Sequence, residues 1–318
     1  LNQSVNSSGT CFTIINENIT LDCNGFTINY TQITTGYSVT SNGYNLSTIK
    51  NCQIIQGRNN AANSYGIYLR NGYNSTIQNN NLTLSGATGT NANNYGVYLN
   101  NQMKSIIYIN NITTTGRQDY GILYSQSNLT NFTNNKISTS AVNTYALASA
   151  NSYLNIIINN NLTTTGTSAY AVYLRDSGSN NLTLNNASTS GTSAHAIYVQ
   201  SSNSASNIFD SNKITIRGAS SRAIYLYGMV SNTNIIYNNI TALASGDYGI
   251  YAYNNVNNSI INYNNINIYG TGSTAIVISL ISNYNNLTNN IIYTNNTGSY
   301  GISLTSTSGT TAIGNLIV

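Results

Sequence analysis

The stretch Tyr65-Gly66-Ile67-Tyr68-Leu69 recurs, with small changes, along most of this chain of 318 residues. Clear copies are Tyr95-Gly96-Val97-Tyr98-Leu99, Tyr170-Ala171-Val172-Tyr173-Leu174 and Arg222-Ala223-Ile224-Tyr225-Leu226. Successive copies begin 25 to 30 residues apart, from Tyr65 to Tyr300. Self-similarity at a nearly fixed period of this length indicates a solenoid, in which each repeat packs mainly on its neighbours.

Each repeat carries the pattern of three short strands. In the first, Ile67 and Leu69 alternate with outward positions, and a period of two is typical of a strand. The pair Thr76-Ile77 predicts the second strand and Leu82-Thr83-Leu84 the third. Gly, Asn and Ser lie between the three, so each repeat is predicted to form one coil of a parallel β-helix. No window keeps the spacing of an amphipathic helix for long.

The start of the chain resembles a known class of repeat protein. Cys11 is followed by the run I-T-L-D-C-N-G-F-T-I at Ile19–Ile28. This run is similar to the first coil of right-handed parallel β-helix repeat proteins. These are the pectate-lyase-like proteins with carbohydrate-binding or sugar-hydrolase repeats of archaeal and bacterial cell surfaces. The resemblance implies an all-β, right-handed parallel β-helix solenoid with three short strands per coil and about eleven coils.

We expect a single solenoid domain over residues 1–318. Residues 1–36 would form an N-terminal opening coil that holds Cys11 and Cys23, and residues 37–318 the repeated coils. The chain ends on an ordinary, hydrophobic coil pattern with no obvious C-terminal cap. An uncapped solenoid end exposes strand edges, which favours stacking of subunits.

One asparagine column predicts how the coils stack. An Asn recurs two residues before the aliphatic residue of the third strand, and Cys52 replaces it in one coil. Because coils lie about 4.8 Å apart, these carboxamides can hydrogen-bond from coil to coil. The same Asn could adopt the left-handed backbone of a tight corner. The predicted ladder is Asn24, Asn80, Asn110, Asn135, Asn160, Asn185, Asn212, Asn238, Asn264, Asn289 and Asn315.

The composition is unusually poor in charge. Only 5% of the residues are charged, the net charge is +4, and there is no proline. The ten basic residues are spread thinly, so we expect no nucleic-acid partner. No apolar run is long enough to span a bilayer. A surface this neutral resists association poorly, which favours cover by glycans or by neighbouring subunits.

The three cysteines all lie in the first two predicted coils. A Cys11–Cys23 disulfide would close the open end and is the favoured pairing. Cys23 with Cys52 is the alternative, because these residues lie in adjacent coils near the same corner. There is no C-x-x-C motif, so a metal site is not expected. A disulfide fits an extracellular or cell-surface protein.

The acidic residues give no predicted catalytic pair. Asp119 and Asp247 share the position before the marker tyrosine, but five coils, or over about 20 Å, separate them. The limit for an inverting glycosidase is about 9.5 Å. His195 replaces a marker tyrosine and has no partner that the sequence supplies. The sequence therefore predicts no catalytic residues, no metal, no cofactor and a protein that is not an enzyme.

Asn-x-Ser/Thr sequons are plentiful, as a chain rich in these residues would produce by chance. Several directly follow the predicted ladder and should point outward, where glycans would aid solubility. The candidate glycosylation sites are Asn18, Asn29, Asn45, Asn74, Asn81, Asn111, Asn128, Asn161, Asn181, Asn186, Asn239, Asn257, Asn286 and Asn295.

These features predict a structural subunit of an extracellular filament, sheath or surface layer, assembled by subunit stacking. The alternative is a polysaccharide-binding adhesin or tailspike-like module, and a polysaccharide lyase or hydrolase is a third possibility. Expected partners are other copies of the chain, head-to-tail or lateral, and cell-surface glycans. The expected assembly or binding surface is Tyr68, Tyr98, Tyr173, Tyr198, Tyr225 and Tyr251, with Leu316 and Val318 at the hydrophobic end.

Overall fold

The computed structural model describes residues 1–57, 62–86 and 93–318, without the side chain of residue 203. The chain divides into two compact units, Leu1–Thr163 and Thr164–Val318, called the first and second unit below. Within the described ranges both consist of strands and turns, with no helix. No described segment offers a helix able to cross a membrane. The prediction of one domain over 1–318 stays a prediction.

The strands of the first unit are short and evenly spaced, and the last residue of β19, Thr164, already belongs to the second unit. They are β1 (Val5–Asn6), β2 (Phe12–Ile14), β3 (Thr20–Asp22), β4 (Thr27–Tyr30), β5 (Tyr37–Asn42), β6 (Thr48–Lys50), β7 (Gln53–Gln56), β8 (Tyr65–Arg70), β9 (Thr76–Gln78), β10 (Asn81–Leu84), β11 (Tyr95–Asn100), β12 (Ile106–Tyr108), β13 (Asn111–Thr114), β14 (Tyr120–Ser125), β15 (Asn131–Thr133), β16 (Lys136–Thr139), β17 (Tyr145–Ala150), β18 (Ile156–Ile158) and β19 (Asn161–Thr164).

The second unit repeats the same triplet of strands, with two longer members. They are β20 (Tyr170–Arg175), β21 (Asn181–Thr183), β22 (Asn186–Thr189), β23 (Ile197–Ala205), β24 (Ile208–Asp210), β25 (Lys213–Ile216), β26 (Arg222–Ser231), β27 (Asn234–Ile236), β28 (Asn239–Ala242), β29 (Tyr248–Tyr253), β30 (Ile260–Asn262), β31 (Asn265–Ile268), β32 (Thr274–Ser279), β33 (Asn286–Thr288), β34 (Ile291–Thr294), β35 (Tyr300–Thr305), β36 (Thr311–Ile313) and β37 (Leu316–Ile317).

Every third strand pairs in parallel, which gives three sheets in each unit. In the first unit the tyrosine sheet runs β2-β5-β8-β11-β14-β17, the ladder sheet begins β1-β4-β7 and the third sheet begins β3-β6-β9. The second unit continues this order, and about twelve coils follow one another along the chain. The predicted right-handed parallel β-helix with three strands per coil is therefore confirmed.

Register places equivalent residues of successive coils directly beside one another. Tyr95 pairs with Tyr65 on one side and with Tyr120 on the other. The aliphatic positions Ile67 and Leu69 are buried inside the coil, and each such side chain contributes roughly 1.5–3 kcal/mol. The marker tyrosines therefore lie in an outward column, whereas Ile, Val and Leu fill most of the interior, together with a few buried aromatic residues such as Tyr124.

The asparagine ladder is present, with two corrections at its ends. Asn110 donates to Asn135 Oδ1 and Asn238 to Asn264 Oδ1, each at 3.0 Å. Near the start, Cys23 is the buried residue and Asn24 is exposed. Near the end, Asn264 donates to Asn290 and not to Asn289.

The left-handed corner residue is not the ladder asparagine itself but the residue before it. Asn79 and Ile109 have φ angles of 51° and 54°. This conformation is costly for a β-branched residue such as Ile109. Gly66, the second residue of β8, lies within the strand, where its Cα faces the Gly96 carbonyl of the next coil.

The disulfide joins Cys23 to Cys52, with Cα atoms 4.7 Å apart, so the favoured Cys11–Cys23 pairing is corrected. Cys23 and Cys52 occupy the ladder position in successive coils, where side chains meet at the coil spacing. Cys11 lies before β2, at a different corner, and is a free thiol. Partial burial raises the pKa of the Cys11 thiol.

Candidate functional site

The second unit presents a face of aromatic and basic side chains, which we call the second tyrosine face. It consists of the outward positions of β20, β23, β26 and β29, together with His195 just before β23. Its twelve residues are Tyr170, Tyr173, Arg175, His195, Tyr198, Gln200, Arg222, Tyr225, Tyr227, Tyr248, Tyr251 and Tyr253.

Stacking between coils holds these rings in place. The ring centroids of Tyr198 and Tyr225 are 4.8 Å apart and nearly parallel, and those of Tyr225 and Tyr251 are 5.3 Å apart. Each such pair contributes about 0.5–1.5 kcal/mol. Burial, the largest cause, raises the pKa of Tyr225 to about 12, so its phenol is neutral at ordinary pH. The face is therefore a rigid platform of half-buried, uncharged rings.

Arg222 takes the marker position in β26, where most coils have tyrosine. Its guanidinium carbon lies 4.5 Å from the ring centroid of Tyr225, 5.1 Å from that of Tyr251 and 5.4 Å from that of Tyr248. In the described part of the chain, Lys50 forms a salt bridge with Asp22, whereas no carboxylate forms one with Arg222. The guanidinium is thus packed against the faces of three tyrosine rings, and no anion among the described residues pairs with it.

His195 lies in the same column and contacts Arg222. The Arg222 backbone N–H donates to His195 Nδ1 at 3.1 Å, and Arg222 Nη1 is 3.4 Å from His195 Nε2. Only 5% of His195 is exposed. Burial, and then the charge of Arg222, lowers the pKa of His195 to about 3, so the imidazole is neutral. The partner that the sequence could not supply is therefore Arg222.

A groove of about 280 Å³ adjoins the edge of this face. It is lined by Arg175, Asp176, Gln200, Ser201, Ser202 and Tyr227. Asp176 accepts hydrogen bonds from the Ser202 backbone N–H at 2.9 Å and from the Ser202 hydroxyl at 3.0 Å. Gln200 accepts from the Tyr173 hydroxyl at 2.6 Å. Polar groups thus border the aromatic platform on this side.

The groove forms where the repeat is broken. The pairing of β23 with β26 shifts register between Ser201 and Ser204. Strands β23 and β26 have 9 and 10 residues, against 6 for β20 and β29. Gly228 has a φ of 90° there and lies against the Ser201 carbonyl. Bulges of this kind are over-represented beside functional sites.

The first unit carries a simpler surface, the first tyrosine face. It consists of Tyr37, Tyr65, Tyr68, Tyr95, Tyr98, Tyr120 and Tyr145, with Arg70 at its edge. Its marker column stacks with centroid distances from 4.6 Å for Tyr120–Tyr145 to 5.4 Å for Tyr37–Tyr65. Arg70 lies 5.3 Å from the Tyr68 ring centroid.

The structure brings some of the predicted surface residues together and separates others. Tyr173, Tyr198, Tyr225 and Tyr251 share the second face, whereas Tyr68 and Tyr98 belong to the first. Leu316 and Val318 are 56% and 63% exposed in the last coil, and their role in assembly stays a prediction. Sequence reasoning missed the marker column, Arg222 and Tyr227 as surface candidates. The signal was available, since Arg222 interrupts a column of tyrosines.

The glycosylation candidates differ in accessibility and also stay predictions. Asn111, Asn161, Asn186 and Asn239 are exposed on the ladder sheet. In three corner sequons, those of Asn45, Asn128 and Asn257, the hydroxyl residue is buried; these residues are Ser47, Thr130 and Ser259. The ladder-sheet sequons are therefore better suited to modification of the folded chain.

Two carboxylates are buried inside the coils and not on a face. Asp119 Oδ1 accepts the Asn94 backbone N–H at 2.9 Å, and Asp247 Oδ1 accepts that of Ser221 at 3.0 Å. Burial, the largest cause, raises the pKa of Asp119 to about 7 and that of Asp247 to about 6. The described residues contain no cluster of three or more His, Cys, Asp or Glu side chains placed to hold a metal.

No protein-family model and no curated protein matches the chain. Several solved structures do match. The periplasmic alginate epimerase AlgG is 14% identical with a TM-score of 0.56, over 94% of this chain and 76% of that one. The catalytic domain of a GH87 alpha-1,3-glucanase in complex with nigerose is 15% identical, with a TM-score of 0.53. The match covers 96% of this chain and 64% of that domain.

The Dettilon tailspike protein gp208 is 13% identical with a TM-score of 0.50, over 93% of this chain and 61% of the tailspike. At these identities the likeness shows the fold alone. This chain spans less than two thirds of the tailspike and of the glucanase domain. Its coils are therefore those of a fold shared by tailspikes and by carbohydrate-active enzymes.

These structures contradict the prediction that the chain is not an enzyme. The solved proteins that share its fold include an epimerase and a glucanase. The prediction relied on spacing among six acidic residues, and that argument tests only carboxylate pairs. Arginine and tyrosine, which line the second tyrosine face, were left out of it, and His195 was set aside because the sequence supplied no partner for it.

Proposed function

We propose that this chain binds polysaccharide and that the second tyrosine face holds the sugar polymer. The observation that carries the proposal is the platform of eight tyrosines, of which Tyr198, Tyr225 and Tyr251 stack in one column. A sugar ring has an apolar face that packs on an aromatic ring and hydroxyls that need polar partners. An apolar platform with a few convergent polar groups is typical of ligand sites.

The edge of the face supplies those polar partners. Arg175 and Gln200 line the groove beside Tyr227. A linear polymer lying across the stacked columns would contact rings from several coils at once, which increases avidity without new kinds of contact. The similar structures support the proposal only by fold, although by description two of them are an alginate epimerase and a glucanase with bound nigerose. The Cys23–Cys52 disulfide supports an extracellular or cell-surface location.

A glycan array followed by titration of the best polymer tests this function. Tyr225→Ala removes the central ring of the second face and is expected to weaken binding by roughly tenfold or more, because aromatic anchors dominate such contacts. Tyr98→Ala removes a stacked ring from the first face and is the matched control, with an expected change below about twofold. Equal losses in the two variants, or no polymer bound by the unmodified protein, would contradict the assignment.

A second proposal is that copies of the chain associate into a filament, sheath or surface layer. The supporting observation is the apolar surface of the last described coil, where Ile313 is 66% exposed and Val318 63%. A second copy stacked there would bury these side chains and could pair with the last described strands, β35, β36 and β37. Sedimentation of the protein and of Leu316→Lys tests it. Concentration-dependent association that the substitution abolishes is expected, and monomers at every concentration would refute it.

A further inference from the structure

We infer that His195 and Arg222 form a binding site for an oxyanion carried by the polymer, either a uronate carboxylate or a sulfate ester. The inference rests on the proposed function, because it names the class of polysaccharide. It is carried by the hydrogen-bond donors at this point of the second tyrosine face.

The first step concerns the proton on His195. Its Nδ1 accepts the Arg222 backbone N–H at 3.1 Å and therefore carries a lone pair. A neutral imidazole has one ring proton, so that proton lies on Nε2. Arg222 Nη1, 3.4 Å away, is also a donor only. Two N–H groups thus face each other without an acceptor, and an oxygen about 2.9 Å from each nitrogen would satisfy both.

The second step concerns the charge of Arg222. Its Nε is buried and has no hydrogen-bond partner. The guanidinium lies against Tyr225, Tyr248 and Tyr251, which shield it from water but provide no anion. A partly desolvated cation without an anion is costly, and a charge-assisted hydrogen bond to an oxyanion offsets that cost. An arginine fork suits carboxylate and sulfate oxygens in particular.

The third step concerns the other charges on this face. Arg175 lies exposed at the groove and adds positive charge. Asp176 is the acidic residue among those that line the groove, and its carboxylate already accepts hydrogen bonds from the Ser202 N–H and hydroxyl. The face therefore favours a polymer with negative charge. Arg70 on the first face has a tyrosine contact but no histidine beside it, so it serves as an internal control.

Affinity electrophoresis with matched polymers tests the inference. Polygalacturonate is compared with its methyl ester, and dextran sulfate with dextran, at one ionic strength. The unmodified protein is expected to prefer at least one charged polymer over its neutral counterpart by roughly ten- to hundredfold. Arg222→Tyr restores the usual marker residue and should reduce that ratio to near one. Arg70→Gln should leave the ratio unchanged within about twofold.

The outcomes separate this inference from the proposed function. Neutral and charged polymers bound equally well, or a ratio that Arg222→Tyr leaves intact, would overturn the oxyanion site while polysaccharide binding stands. Discrimination only within the galacturonate pair identifies a carboxylate, and only within the dextran pair a sulfate. If no polymer binds, the function fails; a sulfate-dependent NMR shift of the Arg222 Nε–H that the Arg70 Nε–H does not show would then support an anion site alone, and the absence of a shift at Arg222 would overturn it.

Discussion

The two tyrosine faces differ although the same repeat builds both. On the first, Tyr65, Tyr95 and Tyr120 continue the marker column without a break. On the second, His195 and Arg222 interrupt that column, and β23 and β26 lengthen around a register shift. The coils beneath are alike, since both units keep the same inward aliphatic positions and the same ladder.

This difference indicates where function lies in a repeat protein. Stacking and burial are satisfied by the repeat itself, so a change that weakens the repeat needs another reason. Replacing a stacked tyrosine with an unpaired arginine, and adding residues that break register, both weaken it. The second face therefore carries the specific chemistry. The first face shows the regular tyrosine surface that the repeat forms when no such residues are added.

The largest expected effect tests whether the asparagine ladder stabilises the two units to the same extent. Asn135→Leu and Asn238→Leu each leave a preceding backbone N–H without an acceptor and a carbonyl without a donor. We expect each to lower the free energy of unfolding by about 3–5 kcal/mol in chemical denaturation. The exposed neighbours Lys136→Ser and Asn239→Ser should change it by less than about 0.5 kcal/mol. A much smaller loss in one unit would break the comparison.

The next effect concerns the buried carboxylates, one in each unit. Both pKa values are raised above the ordinary value of 3.8, so the folded state binds the proton more tightly. The protonated carboxyl groups therefore add to the free energy of unfolding. This contribution is fully present below about pH 4 and is lost as pH rises through about 6 for Asp247 and 7 for Asp119. Each loss is on the order of 3 kcal/mol.

The measurement is the free energy of unfolding from about pH 4 to pH 8, which covers the loss at both groups, for the unmodified protein, Asp119→Asn and Asp247→Asn. Each substitution keeps the Oδ1 acceptor but removes the titration, so it should flatten its share of the pH dependence. Asp247→Asn also loses the acceptor of the Ala244 N–H, which lowers the free energy of unfolding at every pH without changing the slope. His195 has a lowered pKa and acts in the opposite sense, which the difference between variants cancels. Identical pH profiles in all three proteins would contradict the raised pKa values.

The smallest expected effect sharpens the contrast between the faces. Gly228→Ala places a Cβ 2.2 Å from the Ser201 carbonyl oxygen at a φ of 90°, and should cost about 1–3 kcal/mol. Gly43→Ala in the first unit is the control, with an expected loss of about 1 kcal/mol, because its φ is 85° but an added Cβ would meet no atom within 4 Å. If thermal denaturation gives equal losses, the irregularity at Ser201–Ser204 is not a strained feature.

Much of the fold could be predicted because its signals are local and repeated. The alternation at Ile67 and Leu69 and the recurring Asn give strand, corner and coil without any long-range information. The site could not be predicted in the same way. Arg222 and His195 are 27 residues apart, and only the register of adjacent coils brings their nitrogens within 3.4 Å.

The sequence by itself determined the period, the three strands per coil and the outward tyrosine columns, because side-chain alternation and corner residues are properties of neighbouring positions. Only the tertiary structure decided that Cys23 pairs with Cys52, that Asn290 and not Asn289 joins the ladder, and that Arg222 meets His195. The physical reason is register: a shift of one residue turns a side chain from the core to solvent, and contacts between coils follow from it.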